Sequence, residues 1–355
     1  MFILFWVNVV FRFERTRKYL TALDLRVGIL FNVIPDVAYR ENIDHVSEAK
    51  VQDHVKAVQE AVMKLRLSCH LLPVKDDIKF LIDSLELFRP DIVVNLCEGV
   101  FGYSQYEMNV PAILELLKIP YTGSPPLTLG LCQNKGLTKY ILRANGIPTP
   151  DYQILESYKV WKGGIDFPLI VKPLREDASL GITRKSFVRT NRQLKARVDY
   201  INKRFKQPAL VEKYIDGREI NVSILGYEKP RILPISEIIF EFKGEPKIVD
   251  YSAKWIEKSE EYKGTKPVCP AKLTPSLERL VKRTALKAYR LLSCRDYARV
   301  DMRLKDDTPF VVEVNANPDI SLDAGFTRSL KVAGISFEKF IGEIISFAVQ
   351  RSSLS

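Results

Sequence analysis

The sequence predicts an N-terminal α/β unit followed by a larger part of α+β type. Three observations support this prediction. Segments with strand and helix spacing alternate over residues 26–96, strand-like segments prevail over residues 219–250, and two strand-like segments with one polar face flank a turn at residues 305–308. The chain has 355 residues, of which 46% are hydrophobic and 27% charged, so it has room for two or three packed units.

The N-terminal unit, placed at residues 26–124, is predicted to contain a parallel sheet. Its first strand is the apolar segment 27–31. Apolar side chains then recur at helical spacing, at Val51, Val55, Val58, Val62 and Leu65. A short strand at 71–74, a helix at 78–85 and an apolar strand at 92–96 follow. Strand–helix–strand order with short links is typical of a parallel sheet that helices cover on both sides.

The remainder is predicted to form a central unit at residues 125–218 and a C-terminal unit at residues 219–350. The central unit has a helix at 135–144, a strand at 167–173, a polar loop at 175–181, a charged helix at 191–204 and a strand at 209–214. The C-terminal unit has strands up to residue 250, a helix, a hairpin and a last helix at 337–348. Thr274 before Pro275 is a typical start for the first of these helices.

The hairpin is the most informative segment. Residues 299–303 and 310–315 alternate polar and apolar side chains, and the sequence between them is typical of a turn. Side chains two residues apart on a strand share a face, so Arg299 lies beside Asp301, and Glu313 beside Asn315. The opposite, apolar face is predicted to consist of Val300, Met302, Val312 and Val314.

The polar face of this hairpin has the chemistry of a metal and phosphate site. Two carboxylates and an amide oxygen are hard ligands that suit Mg²⁺, which takes a few protein oxygens together with phosphate. An adjacent arginine suits a phosphoryl group or an oxyanion. For an isolated hairpin, a solvated polar face is the simpler interpretation.

Composition narrows the classes of function. The net charge of +11 fits nucleic acid or polyphosphate ligands, but no nucleic-acid motif accompanies it, so nucleic acid is not a predicted partner. The five cysteines lack CxxC spacing, which argues against a disulfide framework and a zinc site, and reduced cytoplasmic thiols are expected. The three histidines lie in the first third of the chain without metal-ligand spacing.

Residues 1–25 are predicted to be an extension outside the fold. An apolar stretch from Met1 to Phe13 precedes the basic residues, the reverse of the order in a signal peptide. It is too short to span a bilayer, so stable membrane insertion is not predicted, and a weak interfacial anchor is the alternative. We hypothesise that translation starts at Leu25, from a codon other than ATG, which the intact mass of the native protein tests. A cytoplasmic protein is expected.

Several further residues are candidates for nucleotide binding. Lys172 ends an apolar strand, where a flexible ammonium group can reach a cleft, and Lys135 is a second candidate phosphate ligand. The small residues of loop 175–181 permit a backbone cover over phosphates. Residues 212–215 could offer adenine backbone hydrogen bonds, and Glu219 could accept from a ribose hydroxyl. Each of these features alone is more often structural.

Together these segments form a series of motifs in a fixed order. They are PYTGS at 120–124, NKGLTK at 134–139, VKP at 171–173, VEKYIDGRE at 211–219, DYSAK at 250–254, the hairpin, and AGISF at 333–337. In this order they resemble the ATP-grasp superfamily, and specifically its D-alanine–D-alanine ligase-like branch. The resemblance covers roughly residues 26–347.

The resemblance implies an ATP-grasp fold, in which ATP lies between two α+β units behind an N-terminal parallel α/β unit. It implies phosphate contacts from Lys135 and Lys172, under a lid loop that contains Ser179. The nucleoside is expected to contact an adenine hinge and a ribose acceptor, formed by Glu212, Lys213, Tyr214, Ile215 and Glu219.

The same resemblance implies the reacting centre. Lys254 is expected to reach the transferred phosphate, and Arg299 to steady the charge on the acyl centre. One or two Mg²⁺ ions, with Mn²⁺ as a substitute, are expected on Asp301, Glu313 and Asn315. The partners are a small carboxylate and an amine, with amino acids the expected class, and a homodimer is expected because relatives are often dimers.

Departures from the family concentrate on the parts that select amino acids. The Gly-rich loop after the first strand is replaced by residues 32–36, and the HG-type motif by NLCEG at 95–99. Ala178 replaces a lid serine and Trp255 a lid tyrosine; alanine has no hydroxyl, and indole only donates hydrogen bonds. Residues 319–326 differ from the family segment whose Ser-Leu pair holds the second substrate's carboxylate, although a Ser-Leu dipeptide is present at 321–322.

The sequence therefore predicts an ATP-dependent carboxylate–amine ligase with an altered amino-acid pocket. A true D-alanine–D-alanine ligase of cell-wall synthesis is the enzymatic alternative. An ATP-binding sensor or scaffold without catalysis is the alternative of another class, although the presence of the whole reacting set argues against it.

Overall fold

The N-terminal unit contains a three-stranded parallel sheet, as predicted. In this computed structural model, residues 23–33, 44–75, 77–177, 179–250 and 259–352 are described, together with Thr16, Leu20 and Ala253. The strands are β1 (Arg26–Asn32), β2 (Ser68–Val74) and β3 (Ile92–Asn95), in the order β2-β1-β3. The helices are α1 (Asp44–Lys64), α2 (Ile78–Phe88) and α3 (Asn109–Leu116). Asp77 caps α2 by accepting from the Lys79 backbone N–H at 2.8 Å.

A second, antiparallel sheet follows along the chain. Its strands, in the spatial order β4-β7-β5-β6, are β4 (Tyr152–Leu155), β5 (Leu169–Pro173), β6 (Phe187–Val188) and β7 (Ala209–Lys213). The helices of this region are α4 (Pro126–Gln133), α5 (Lys135–Ala144) and α6 (Asn191–Phe205). One face of the sheet packs on α6, whose buried apolar side chains are Leu194, Val198 and Ile201.

The third sheet has six strands and is also antiparallel. It comprises β8 (Arg218–Gly226), β9 (Arg231–Ile232), β10 (Ser236–Phe240), β11 (Thr265–Val268), β12 (Asp296–Lys305) and β13 (Thr308–Asn315). The order is β11-β10-β8-β12-β13, with β9 paired to β8. The helices are α7 (Glu260–Lys263), α8 (Pro275–Leu291), α9 (Gly325–Val332) and α10 (Phe337–Ser352). The hairpin β12–β13 turns through Asp306 and Asp307, which both have positive φ, as a two-residue hairpin turn requires.

A bulge interrupts this hairpin and overturns one part of its prediction. Asp301 pairs with Glu313, but Met302 pairs with Val311, so Val312 is an extra residue on β13. Because one residue is inserted, the alternation breaks, and Val311 rather than Val312 joins Val300, Met302 and Val314 in the buried core. The prediction that Val312 belongs to the apolar face is wrong.

The last helix joins the C-terminal sheet to the N-terminal unit. Phe340, Ile341 and Ile344 of α10 are fully buried in one cluster with residues of α1 and β1. Leu20, which belongs to the predicted extension, is buried in the same cluster, so a start at Leu25 would remove it from the core. The rest of residues 1–22, apart from Thr16, lies outside the described residues. The unit boundaries at 26–124, 125–218 and 219–350 stay predictions.

Candidate active site

The polar residues of the hairpin lie on one face of the third sheet, as the alternation predicts. The two guanidinium nitrogens Nε and Nη2 of Arg299 donate to the two carboxylate oxygens of Asp301, both at 2.8 Å. Asn315 Nδ2, on the neighbouring strand β13, donates to Asp301 Oδ2 at 2.9 Å. From the other side, Asn221 Nδ2 on β8 donates to Asp301 Oδ1 at 2.7 Å. Asp301 is thereby fixed by groups from the three adjacent strands β8, β12 and β13.

Glu313 connects this face to the first of the two predicted phosphate lysines. Its Oε1 lies 2.8 Å from Lys135 Nζ, which also lies 2.7 Å from Asp177 Oδ1 and donates to the Glu176 carbonyl oxygen at 2.6 Å. Burial alone would lower the pKa of Lys135, but the charges of Asp177 and Glu313 raise it. Burial would raise the pKa of Glu313, but the charges of Lys135 and Lys172 lower it to about 2 from its usual 4.5.

The depressed pKa of Glu313 predicts an acid-dependent contribution to stability. A lowered folded-state pKa means that the contribution is complete above the usual value of 4.5 and is lost as the pH falls towards about 2. We therefore expect the difference in unfolding free energy between the wild type and Glu313→Gln to shrink between about pH 5 and about pH 3. Urea unfolding at these pH values measures it. A difference that stays constant over this range would contradict the assignment.

The second predicted phosphate lysine belongs to a buried ion triad. The two carboxylate oxygens of Glu212 lie 2.8 Å from Lys172 Nζ and 2.8 Å from Lys139 Nζ. Burial would raise the pKa of Glu212, but the two ammonium charges lower it. Burial lowers the pKa of Lys139, against the charge of Glu212 and together with that of Lys172. The Glu212 side chain is thus held between two cations, so a role in the adenine hinge rests on its backbone.

Nearby segments of the same chain bind the rest of the predicted hinge. Lys213 Nζ donates to the Asp166 carbonyl oxygen at 2.8 Å, and the Lys213 backbone N–H donates to the Asp151 carbonyl oxygen at 2.8 Å. The Tyr214 backbone N–H donates to the Pro168 carbonyl oxygen at 3.1 Å. The binding roles of Lys213, Tyr214 and Ile215 stay predictions.

Glu219, the predicted ribose acceptor, has an arginine partner. Arg303 Nη2 donates to Glu219 Oε2 at 2.7 Å and to the Lys247 carbonyl oxygen at 2.6 Å. Burial raises the pKa of Glu219, against the charge of Arg303 and together with that of Asp301. The charge of Lys172 acts to lower the pKa of both Glu219 and Glu313. The buried triad and the hairpin therefore belong to one electrostatic site.

Sequence reasoning missed three residues of this site: Asn221, Arg303 and Lys139. The first two carried a usable signal. Asn221 follows Glu219 by two residues, and Arg303 follows Asp301 by two, so both share the polar face under the rule used for the hairpin. Lys139 follows Lys135 by four residues, which places both on one face of α5, but this spacing does not indicate that Lys139 is buried.

The oxygen groups on the hairpin fit a magnesium site. Asn315 uses its amide nitrogen on Asp301, which leaves its amide oxygen for a metal. Within the described part of the chain, no three His, Cys, Asp or Glu side chains form a metal-holding group, so a metal site here depends on two carboxylates and one amide. Hard oxygen donors of this kind suit Mg²⁺ and Mn²⁺.

Comparison with known proteins decides the family. A family model described as D-ala D-ala ligase C-terminus matches residues 141–346. The D-alanine–D-alanine ligase of Thermotoga maritima is 33% identical over 297 residues, which are 82% of this chain and 90% of the relative. The chain belongs to the D-alanine–D-alanine ligase family. It is an ATP-grasp ligase, and the predicted enzyme class is confirmed.

Solved structures confirm the fold class of this ligase. The crystal structure of a D-alanine–D-alanine ligase from Bacillus anthracis complexed with ATP has a TM-score of 0.72 at 25% identity, and the match covers 93% of this chain and 99% of that one. A further relative, the uncharacterized protein y4sG of Sinorhizobium fredii, is 36% identical over 283 residues, 77% of this chain and 81% of its own. No helix within the described ranges is long and apolar enough to cross a membrane.

The lid of the ligase is described only in part. Ser179 has φ of 62°, and its hydroxyl donates to the Val249 carbonyl oxygen at 2.9 Å. Ser179 therefore contacts the segment that precedes Lys254. The predicted catalytic residue Lys254 lies outside the described residues, as do Ala178, Trp255 and residues 34–36 among the departures. The roles of Ser179 and Lys254 stay predictions.

Proposed function

We propose that this ligase joins a carboxylate to an amine in two steps driven by ATP. In the first step, a carboxylate oxygen takes the γ-phosphoryl group and ADP leaves. In the second, the amine nitrogen attacks the acyl carbon, the bond from that carbon to the phosphate oxygen breaks, and phosphate leaves with the electron pair while the nitrogen loses a proton. The observation that best supports the proposal is the contact of Lys135 with Glu313 beside the Arg299–Asp301 pair.

The first step needs positioning and charge neutralisation more than a nucleophilic side chain. Lys135 and Lys172 are held by buried carboxylates at the edge of the polar face, where they can pair with the phosphates of ATP. Asp301, Glu313 and the amide oxygen of Asn315 would hold Mg²⁺, which would neutralise phosphate charge. Lys254 would act on the transferred phosphate.

The second step develops negative charge on the acyl oxygen. Arg299 is fixed by its two hydrogen bonds to Asp301, and a preorganised cation stabilises such charge at low reorganisation cost. Burial would lower the pKa of Arg299, but the charge of Asp301 raises it, so the guanidinium stays charged. A backbone N–H near Asp319 is the proposed second donor.

Glu219 is proposed to bind the ribose hydroxyls, and Arg303 to hold it in place. We expect Arg303→Lys to raise the KM for Mg·ATP about tenfold with little change in kcat. Arg303 binds the Gly217 carbonyl oxygen through Nη1 while Nη2 binds Glu219 and the Lys247 carbonyl oxygen, and the single nitrogen of lysine cannot replace both nitrogens. Hydrogen bonds to charged groups contribute about 1.5–3 kcal/mol. Steady-state ADP release at varied Mg·ATP measures it. Arg218→Lys, whose parent side chain pairs with Glu237 instead, is the control. Equal shifts in both variants would argue against this role.

The amino-acid pocket supports a substrate pair other than two D-alanines. The residues that select D-alanine in the family are replaced at 32–36, 95–99, 178, 255 and 319–326, whereas Arg299, Asp301, Glu313 and Asn315 are present. A true D-alanine–D-alanine ligase is the second candidate, because relatives 33% identical carry that name. Amino acids are the proposed substrate class in both cases, and a cytoplasmic homodimer stays a prediction.

One experiment separates these candidates. Purified protein is assayed for ADP release with Mg·ATP against D- and L-amino acids and small carboxylates, with hydroxylamine as a surrogate amine. Hydroxamate formation would identify the activated acid even when the natural amine is unknown. Robust turnover and a dipeptide product with D-alanine alone would support the second candidate. Nucleotide binding without turnover on any acid would support a sensor or scaffold.

A further inference from the structure

Asn317 is hydrogen-bonded by buried residues from two distant parts of the chain. Its Nδ2 donates to Glu107 Oε1 at 2.9 Å and to the Cys97 carbonyl oxygen at 3.2 Å, both in the N-terminal unit. Its Oδ1 accepts from the Tyr297 hydroxyl at 2.9 Å, on strand β12. Glu107, Cys97 and Tyr297 are all buried. The amide therefore joins the N-terminal unit to the strand that carries Arg299.

The position of Asn317 in the chain gives this contact a consequence for the reacting centre. Asn317 follows the proposed metal ligand Asn315 by two residues and precedes Asp319 by two. The charge of Asp319 acts on Arg299, so the loop at 316–325 passes close to the proposed oxyanion site. A side chain that fixes Asn317 also fixes the backbone between the metal ligand and that site.

Two departures from the family meet at this point. Cys97 belongs to the segment that replaces the HG-type motif, and Asn317 lies two residues before the segment 319–326, which also differs from the family. A third departure joins them, because the Glu98 backbone N–H donates to Asn32 Oδ1 at 3.2 Å. The changed segments therefore form one connected structure rather than independent substitutions.

The carboxyl group of Glu107 is buried, so its presence at this position needs an explanation. Burial raises its pKa well above the usual range, as does the charge of Asp177, while the hydrogen bond from Asn317 lowers it. Burying a carboxyl is unfavourable unless it is hydrogen-bonded, so a side chain that only filled space here would be apolar. A carboxyl group is expected at this position if its oxygen is needed to accept the hydrogen bond from Asn317.

We propose that Glu107 and Asn317 are positioning residues for the amine-transfer step, acting through the backbone of loop 316–325. This inference rests on the proposed ligase function. Glu107 holds Asn317, Asn317 holds the loop, and the loop presents the N–H groups near Asp319 to the acyl oxygen as the amine attacks. Misplacement of a reacting geometry by about 1 Å can slow a reaction on the order of 100-fold.

The test compares Glu107→Gln, which keeps an acceptor oxygen, with Glu107→Ala, Asn317→Ala and the double alanine variant. Hydroxamate formation is measured with hydroxylamine, Mg·ATP and the panel acid that the wild type activates. We expect kcat to fall about 10- to 100-fold in each alanine variant, with the KM for Mg·ATP within about twofold and Glu107→Gln within about threefold of the wild type. The double variant should be no slower than the slower single variant, because both act through one contact.

Hydrogen exchange of the peptides covering 316–325 provides a readout that needs no substrate. We expect faster exchange there in the alanine variants and wild-type exchange in Glu107→Gln. Glu115→Ala, which removes the acceptor of the Tyr121 hydroxyl in the same unit, is the control and should leave both readouts unchanged. Unchanged exchange at 316–325 in the alanine variants, equal defects in Glu107→Gln and Glu107→Ala, or a proportional rise in the KM for Mg·ATP would overturn the inference. Absence of wild-type hydroxamate would instead count against the proposed function, and the exchange result would still decide this one.

Discussion

Replacing Glu313 by glutamine is expected to lower magnesium-dependent ADP release at least about 100-fold, because changes even to groups that only support a metal's ligands cost about 10–100-fold. The variant loses a charged oxygen ligand and also the anion that lies 2.8 Å from Lys135. Both losses weaken the neutralisation of phosphate charge on which the first step depends. Coupled ADP assays over a range of Mg²⁺ concentrations measure the change.

A matched control for this substitution exists on the same hairpin. Asp306→Asn makes the same change of carboxylate to amide at the exposed turn, and asparagine tolerates the positive φ of 47° found there. Turnover of Asp306→Asn should equal that of the wild type. If Glu313→Gln kept wild-type turnover at low Mg²⁺, the proposed metal site would be wrong, whereas a sensor protein would have no turnover to lose.

The hairpin could be predicted from the sequence because its information is local. A period of two residues places Arg299 beside Asp301 and Glu313 beside Asn315, and both pairs share the polar face in the structure. The bulge at Val312 could not be predicted in this way. The run FVVEVN fits an uninterrupted strand equally well, and only pairing with β12 decides which valine is displaced.

The buried charges mark a second limit of local patterns. Lys139 looks like an ordinary solvated lysine in the helix sequence, yet it is 1% exposed. Its burial is compensated by the carboxylate of Glu212 on β7, about seventy residues further along the chain. No rule based on local spacing predicts a contact over this distance. The contacts of Asn317 are of the same kind, since its partners Cys97 and Glu107 lie more than two hundred residues away.

The buried triad predicts the largest effect on stability. Glu212→Gln is expected to lower the free energy of unfolding by about 3–5 kcal/mol, because it leaves Lys139 and Lys172 without a counter-charge in a buried site. Urea unfolding followed by circular dichroism measures it. Asp199→Asn, which breaks the exposed pair with Lys195, is the control and should leave the unfolding midpoint unchanged.

Two further measurements test whether the loss of stability in Glu212→Gln is caused by uncompensated charge. Adding Lys139→Met to the variant should restore part of the stability, since one buried cation then remains instead of two. The pKa of Lys139 is lowered by burial already in the wild type, and without Glu212 it should fall further. A lysine with a lowered folded-state pKa makes stability rise with pH, so the deficit should shrink as the pH rises towards the usual lysine pKa of 10.5, opposite in direction to the effect at Glu313. A deficit that is constant with pH and unaffected by Lys139→Met would point to lost packing rather than to charge.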